Sequence, residues 1–465
     1  MRPTLNSIGF VMLLVCSTTI ALCIPAMNER STVLAQATPP QDRKAESIRL
    51  NNEGQELQQK GQYREALEKL QKALLIVRAI RERQGEGAIL NNIGLVYNSL
   101  GQYPKALEFY QQALTIRKQV GDRAGKGITL NNIGLIYDSL GQYPKALEFF
   151  QQALAIAKQI GNRSVEGKTL NNIGFLLEAQ KQPALAIVFL KRSVSTYEAI
   201  REELRTLPNA QQQSYTDTVA STYRRLADVL LQQDRVLEAQ QVLDLLKVQE
   251  LEGYLRNVRG DGKKLEYLHP EDEILQQYGE LQKTAIEIGR ELTALRKLDV
   301  KNSLNATQKQ RLTQLVDLER QINRQFNAFI ESKVVQDLVK QLSAAASKQN
   351  LNLEDLNALR DDLRQLDAVL IYPLILDDRL ELVITTPNAP PLRRTVKNLK
   401  REELNRVIAE YRSALEKPGS NAQALAQQLY TWLIKPLEAD LQQAKPKTNL
   451  CARWTTALHS PRCPA

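Results

Sequence analysis

The sequence predicts a mainly α-helical protein: a superhelix of helical hairpins, then a helical linker, then a fragment of an α/β domain. The tetrapeptide Asn-Asn-Ile-Gly begins at Asn91, Asn131 and Asn171, and the related Asn-Asn-Glu-Gly begins at Asn51. After the repeats, residues 249–350 keep a helical periodicity without the tetrapeptide, and residues 351–448 include short runs of β-branched residues. A fixed period of forty residues predicts a stacked repeat array rather than a single enzyme fold.

Each copy of the repeat is predicted to form a helix-turn-helix hairpin. Apolar and small residues recur at helical spacing on a first and then on a second helix, namely Leu90, Ile93, Gly94 and Tyr97, followed by Ala106, Tyr110, Ala113 and Leu114. Between the two stripes, Gly101 can take the left-handed conformation that ends a helix, and Pro104 suits the first turn of the next helix.

This pattern resembles the tetratricopeptide repeat (TPR), in the forty-residue form also seen in kinesin light chains and spindle-orientation adaptors. The resemblance rests on a small residue in the first helix, an aromatic residue three positions later and two alanines in the second helix. The matching residues are Gly54, Gly94, Gly134 and Gly174, then Tyr97 and Tyr137, then Ala66, Ala73, Ala106, Ala113, Ala146 and Ala153. It implies close helix packing and a superhelix with a concave face.

The array is predicted over residues 44–248. Lys181 replaces the turn glycine and Pro183 the tyrosine in the fourth copy, and a degenerate fifth copy is aligned by Ala227 for the small residue and Ala239 for the first alanine. The copies are expected at about 44–83, 84–123, 124–163, 164–197 and 214–248.

The N-terminal residues 1–37 read as an export signal. One Arg precedes an apolar run from Ile8 to Ala26, and Ala35 and Ala37 supply the small residues that signal peptidase accepts. We expect cleavage after Ala37 and a periplasmic or extracellular protein. The alternative is an uncleaved segment that anchors the chain to a membrane, which the length of the run permits.

Composition argues against several kinds of function. The net charge of +10 is spread over interspersed acidic and basic residues, which favours a solvated surface over a nucleic-acid track. The chain has two histidines, His269 and His459, and no cysteine in the repeats. It therefore offers few of the residues that metal clusters and Ser-His-Asp catalysis require. We expect no cofactor and no metal.

Residues 249–350 are predicted to be a helical linker. Apolar positions indicate two helices separated by a polar loop, which is most simply an antiparallel hairpin. The residues are Leu275, Leu281, Ile286 and Leu292 for one helix, Leu312, Leu315, Leu318, Ile322 and Phe326 for the other, and Asn302, Ser303 and Asn305 for the loop.

Residues 351–448 mix helices and strands. Helices are expected at 353–366, 401–416 and 421–442, with a β-hairpin formed by 368–373 and 380–386. The order resembles the opening of the caspase-like CHAT domain that follows TPR arrays in many cyanobacterial proteins. The matching stretches are Ile371-Tyr372-Pro373, Leu382-Val383-Ile384 and YTWLIKPLEADL from Tyr430.

In that family the catalytic His and Cys lie farther along, each after a core strand. Here residues 449–465 end in CARWTTALHSPRCPA, and Trp454 to Leu458 read one base earlier can encode Leu-Asp-Asp-Gly-Ala, like the family's Asp-Gly-Ala element. Our hypothesis is that a frameshift cuts the domain short and leaves an aberrant tail. Cys451, His459 and Cys463 lie outside the family's catalytic context, so we predict no catalytic residues and no enzyme.

The TPR resemblance places the second asparagine of each pair on the concave face: Asn52, Asn92, Asn132 and Asn172. An amide both donates and accepts, so this row can pair with an extended peptide backbone, while Asn98, Asp138 and Lys168 supply specificity. In an alternative interpretation, the asparagines bond between adjacent repeats and brace the stack.

Two classes of function remain. The first is a non-catalytic scaffold that binds a peptide or protein segment in the groove. The second is the regulatory half of a caspase-like cysteine peptidase whose catalytic part is missing from this chain.

Overall fold

The computed structural model describes residues 40–251, 265–300, 302–349 and, with gaps at 362, 366, 377, 417–420 and 445–450, residues 361–452. The export signal predicted at 1–37, most of the helix predicted at 353–366, and the tail after Ala452 lie outside the described residues. The chain divides into two compact units. One comprises the residues up to Ile156 with Glu291–Thr313, and the other comprises Ala157–Arg290 with the residues from Gln314 onward.

The first unit contains the first three helical hairpins. Its helices are α1 Pro40–Gln59, α2 Tyr63–Ala79, α3 Arg83–Ser99, α4 Tyr103–Val120, α5 Arg123–Ser139 and α6 Tyr143–Gln159, the last of which continues into the second unit. The alanines of the second helices are fully buried, as the repeat pattern predicts: Ala66, Ala73, Ala106, Ala113, Ala146 and Ala153.

The turns within the hairpins use a left-handed residue. Gly101, between α3 and α4, has φ of +69°, and Pro104 stands in the first turn of α4. Both features confirm the predicted turn. In the fourth copy Lys181 takes the same conformation, with φ of +59°, although a side chain makes that region unfavourable.

The second unit begins with two further hairpins, α7 Arg163–Ala179, α8 Pro183–Leu204, α9 Asn209–Gln232 and α10 Val236–Leu251. The predicted linker hairpin follows as α11 His269–Val300 and α12 Ala306–Glu331, and α13 Lys333–Gln349 comes next. In the second unit Tyr278 of α11 packs on Phe326 of α12 with ring centroids 5.5 Å apart, and in the first unit Arg311 pairs with Glu291 at 2.7 Å. The two helices are therefore antiparallel.

The remaining elements of the second unit surround a four-stranded sheet. They are β1 Leu370–Ile375, β2 Arg379–Thr386, β3 Ala389–Lys397, α14 Arg401–Leu415, α15 Ala422–Leu433, a 3-10 turn Lys435–Leu437, α16 Glu438–Ala444 and β4 Cys451–Ala452. The strand order is β3-β2-β1-β4. β1 and β2 are antiparallel, as the predicted hairpin requires, whereas β4 runs parallel to β1.

Apolar side chains cover both faces of the sheet. On one face, Ile371, Leu382 and Ile384 share a core with α14 and α15. On the other, Leu374 and Val383 share a core with α9 and α10. The sheet is thus an inner layer of the second unit.

Three features differ from the sequence expectation. β3 was not predicted; it contains Pro390 and Pro391, and it lies at the sheet edge, where proline is tolerated. The single helix predicted at 421–442 is broken at Ile434 by Pro436, which cannot donate to a helical hydrogen bond. Cys451–Ala452, inside the predicted aberrant tail, pairs with β1.

None of the helices in the described ranges combines the length and the apolar character that crossing a membrane requires.

Candidate functional site

One face of the first helix of each repeat is the candidate site. We define the A-helix face as the three positions that lie two before, one after and four after the small residue, since this spacing keeps them on one side of a helix. In the first unit it consists of Asn52, Gln55 and Gln58 on α1, Asn92, Leu95 and Asn98 on α3, and Asn132, Leu135 and Asp138 on α5.

The asparagine pairs link neighbouring first helices. Asn92 Nδ2 donates to Asn51 Oδ1 at 2.8 Å, and Asn132 Nδ2 donates to Asn91 Oδ1 at 3.2 Å. The hydroxyl of Thr129 donates to the same Asn91 oxygen at 3.2 Å. The contacts of the bracing interpretation are therefore present in this unit.

Burial separates the predicted binding asparagines from one another. Asn92 and Asn132 are each only 8% exposed, whereas Asn52 is exposed. Each of the two buried amides already donates a hydrogen bond to the preceding repeat, which leaves fewer of its hydrogen-bonding groups available to a ligand. Peptide binding by these residues stays a prediction.

Asn98 and Asp138 lie at equivalent positions and are both half-buried. Burial raises the pKa of the Asp138 carboxyl group above its usual value. Within the described residues, no ion pair or hydrogen bond engages this carboxylate. A cationic group of a ligand would therefore find an unmatched negative charge here.

Apolar residues on the same helices were missed by the sequence reasoning. Leu95 and Leu135 are half-buried on the A-helix face, and Ile128, one turn before Asn132, is 39% exposed. Their helical spacing from the asparagines was the available signal. Eight of the nine A-helix face positions in this unit are uncharged, in a chain that is 25% charged, so the face is selectively neutral.

The fourth repeat carries the corresponding face in the second unit. The predicted Asn172 is half-buried, and the predicted Lys168 is exposed. Phe175, which was not predicted, is 43% exposed, and the Arg225 guanidinium lies 4.3 Å from its ring centroid. Arg225 Nε also pairs with Glu178 at 2.7 Å, which fixes the guanidinium over the ring.

The described residues contain no cluster of three or more His, Cys, Asp or Glu side chains that could hold a metal ion. The expectation of no metal and no cofactor stays a prediction. His459 and Cys463 lie outside the described residues, so their lack of a catalytic role stays a prediction.

The family model of the tetratricopeptide repeat matches residues 46–119, 86–159 and 125–199. No curated protein matches the chain. Among solved structures, the chain is similar to BtubC (BKLC) from P. vanneervenii, with 20% identity over 52% of this chain and 92% of that chain and a TM-score of 0.39.

Two further solved structures are similar over nearly half of the chain. One is a Podosopora anserina protein described as a kinesin light chain with nearly identical TPR-like repeats, with 18% identity, 44% of this chain and 96% of that chain covered, and a TM-score of 0.33. The other is the apo form of RapI, with 17% identity, 49% and 89% covered, and a TM-score of 0.33.

Proposed function

We propose that the tetratricopeptide repeats carried by residues 46–199 make this chain a non-catalytic scaffold whose A-helix face binds an extended segment of a partner protein. Proteins built from such repeats generally serve as protein–protein interaction scaffolds, because stacking creates long surfaces. The observation that carries the proposal is the neutral character of the A-helix face in the first unit, where six of the nine positions are amides and two are leucines.

A neutral face of this kind suits an extended peptide. Amides such as Asn52 can donate to and accept from a peptide backbone without reading its sequence, and Leu95, Leu135 and Ile128 offer apolar surface to alternate side chains. Asp138 is the charged member of the face in this unit, so a Lys or Arg of the ligand is expected beside it. The preferred segment is therefore uncharged except for one cationic residue.

The test uses a displayed library of random peptides of about twelve residues, which span roughly 40 Å when extended. The full chain is used to select binders, and the affinity of selected peptides is measured by fluorescence anisotropy. Ile128 lies one turn before Asn132, where it borders the A-helix face, and Ile128→Glu should weaken binding by about tenfold or more, because the new carboxylate would lose water without gaining a partner.

A matched control separates the A-helix face from the rest of the unit. Leu75 is 59% exposed on α2, the second helix of the first repeat, and Leu75→Glu makes the same chemical change away from the proposed site. It should leave the affinity unchanged. Equal effects of the two substitutions, or no selected peptides at all, would remove support for the scaffold.

A second candidate is the regulatory half of a caspase-like CHAT cysteine peptidase. It is favoured by β4, because a parallel pairing of Cys451–Ala452 with β1 is how an α/β core would continue from the hairpin. Resequencing the DNA from the codon of Lys445 well past that of Ala465 decides it. A corrected base that opens a frame with the family's His and Cys supports this candidate, and an unchanged sequence with no such frame downstream opposes it.

Export of the chain is a separate proposal. It rests on the apolar run from Ile8 to Ala26 and on the small residues Ala35 and Ala37. Intact-mass analysis of the protein from its native host should show a mature chain that begins at Thr38. A full-length chain recovered from membranes would instead support the anchor.

A further inference from the structure

The fifth repeat carries its own A-helix face on α9. Counted from Ala227, this face consists of Arg225, Asp228 and Leu231. Tyr223 and Leu226 fill the places of the apolar core residues of earlier repeats, and both are fully buried. The alignment of the fifth repeat on Ala227 therefore agrees with the burial of its residues, although its sequence is degenerate.

The chain's own sheet covers this face. The Arg379 guanidinium on β2 pairs with Asp228, and Arg393 Nη1 on β3 donates to the carbonyl oxygen of Leu231 at 2.7 Å. Arg393 also lies 3.8 Å from the carboxylate of Asp234. Leu374 of β1, Val383 of β2 and Leu376, which directly follows β1, join the same buried cluster as Leu231.

Two equivalent positions of the A-helix face are more exposed in the fourth repeat than in the fifth. Phe175 on α7 is 43% exposed, whereas its counterpart Asp228 has only 14% of its side chain exposed. Leu231 is fully buried, and the equivalent positions in the first four repeats are polar, namely Gln58, Asn98, Asp138 and Glu178. The residue type thus changes from polar to apolar at the repeat where the sheet covers the face.

We propose that the sheet formed by β1, β2 and β3 is an intramolecular occupant of the A-helix face of the fifth repeat. There it competes with a peptide ligand that is bound at Phe175 on the fourth repeat and is long enough to continue onto the fifth. This inference rests on the proposed function of the A-helix face. A segment bound on the fourth repeat can reach the fifth only by displacing Arg379 and Arg393 from α9. The sheet therefore limits ligand length at this end, and a longer ligand binds only where the side chains of Arg379 and Arg393 move off α9.

The experiment weakens the sheet contact from either side in the full chain. Asp228→Arg places a positive charge on α9 beside the positive charge of Arg379 on β2. Arg393→Ala removes the hydrogen bond to Leu231 without adding charge to α9. Asp217→Arg is the matched control, because Asp217 is exposed on the same helix and hydrogen-bonds only with Gln213 of that helix among the contacts described. The probes are library peptides that bind the wild-type chain but not Phe175→Ala.

Competition predicts that Asp228→Arg and Arg393→Ala both tighten binding of these peptides, by about fivefold or more, since a partly exposed ion pair contributes about 1 kcal/mol. Asp217→Arg should leave the affinity unchanged. Shortening the peptides from one end should abolish the gain, because a short ligand does not reach the fifth repeat.

Unchanged or weaker binding in the two contact variants would overturn the competition, even where peptides still bind. Failure to find any peptide that depends on Phe175 would overturn it as well. These results leave the scaffold proposal to its own test, which depends on Ile128 in the first unit. Circular dichroism of each variant identifies unfolding, and Arg393→Ala decides the question if Asp228→Arg does not fold.

Discussion

Gly94 on α3 lies directly against the ring of Tyr110 on α4, so that a Cβ on residue 94 would stand 2.6 Å from Cε1 of the ring. Gly134 and Phe150 repeat the relationship one hairpin later, also at 2.6 Å. The two helices of each hairpin can approach this closely because the glycine lacks a side chain. Small residues at this position therefore set the spacing within the repeat.

Gly94→Ala is expected to lower the free energy of unfolding by about 1–3 kcal/mol, because the methyl group forces the Tyr110 ring to move. Alanine is otherwise the better helix former, by about 1 kcal/mol. Gly279 on α11 has nothing within 4 Å of its would-be Cβ, so Gly279→Ala should stabilise the chain. Urea unfolding of both variants checks the prediction, and effects of the same sign would contradict it.

Tyr110→Phe is expected to raise the free energy of unfolding by about 1 kcal/mol. The buried hydroxyl of Tyr110 has no hydrogen-bond partner among the described residues, and such a group costs desolvation energy. The third repeat already has Phe150 in this place. Urea unfolding at neutral pH measures the gain, and a loss of stability would show that the hydroxyl is bonded in solution.

The same substitution should change the response to alkaline pH. Burial raises the pKa of the Tyr110 phenol, so the folded chain keeps its proton after the unfolded chain has lost it, above a pKa of about 10. Stability from this group is therefore lost as pH rises above about 10. The advantage of Tyr110→Phe over wild type should grow between pH 8 and pH 10.5, and a constant difference would contradict the assignment.

Asn132→Ala and Asn92→Ala are each expected to lower the free energy of unfolding by about 1 kcal/mol, since each removes a hydrogen bond between neighbouring first helices. If Asn92 and Asn132 bind the ligand, as the sequence predicts, the double variant with both substitutions should bind peptides less well and lose little helicity. Circular dichroism and peptide affinity on the same samples separate the two effects. An unfolded double variant would favour bracing, and a folded variant with normal affinity would exclude groove binding by these residues.

Lys181→Gly is expected to stabilise the chain by about 1 kcal/mol, because a glycine has no penalty in the left-handed region. Gly101→Lys makes the opposite change at the equivalent turn and should destabilise by a similar amount. Thermal unfolding of the two variants provides the comparison. A neutral result for both would mean that the turns relax to other conformations.

Glu271→Ala is expected to lower the free energy of unfolding by about 3–5 kcal/mol. Glu271 is fully buried in the second unit and accepts hydrogen bonds from Lys191 at 2.8 Å, Arg235 at 2.7 Å and the Leu268 amide at 2.8 Å. Its loss leaves two buried cations with less compensation. Glu68→Ala, which breaks the exposed pair with Lys72, should have no measurable effect in the same urea titration.

Sequence alone determined the repeat array because its signals are local. The helical spacing around Gly94 and the turn glycine at Gly101 each involve residues close in the chain, so their geometry follows from backbone preferences. The forty-residue period repeats the same local patterns in each copy. The linker helices and the β1–β2 hairpin were predictable for the same reason. Lys181 shows that the turn persists even where the preferred residue is absent.

Tertiary structure alone decided how the faces of these elements are used. Whether Asn92 and Asn132 bond to the preceding repeat depends on the distance between helices, and β3 is a strand despite its two prolines because it lies at a sheet edge. The ion pair that places Arg379 on Asp228 joins residues 151 positions apart. Such contacts depend on packing between distant segments, and the periodicity of a single helix contains no information about what will cover its exposed side.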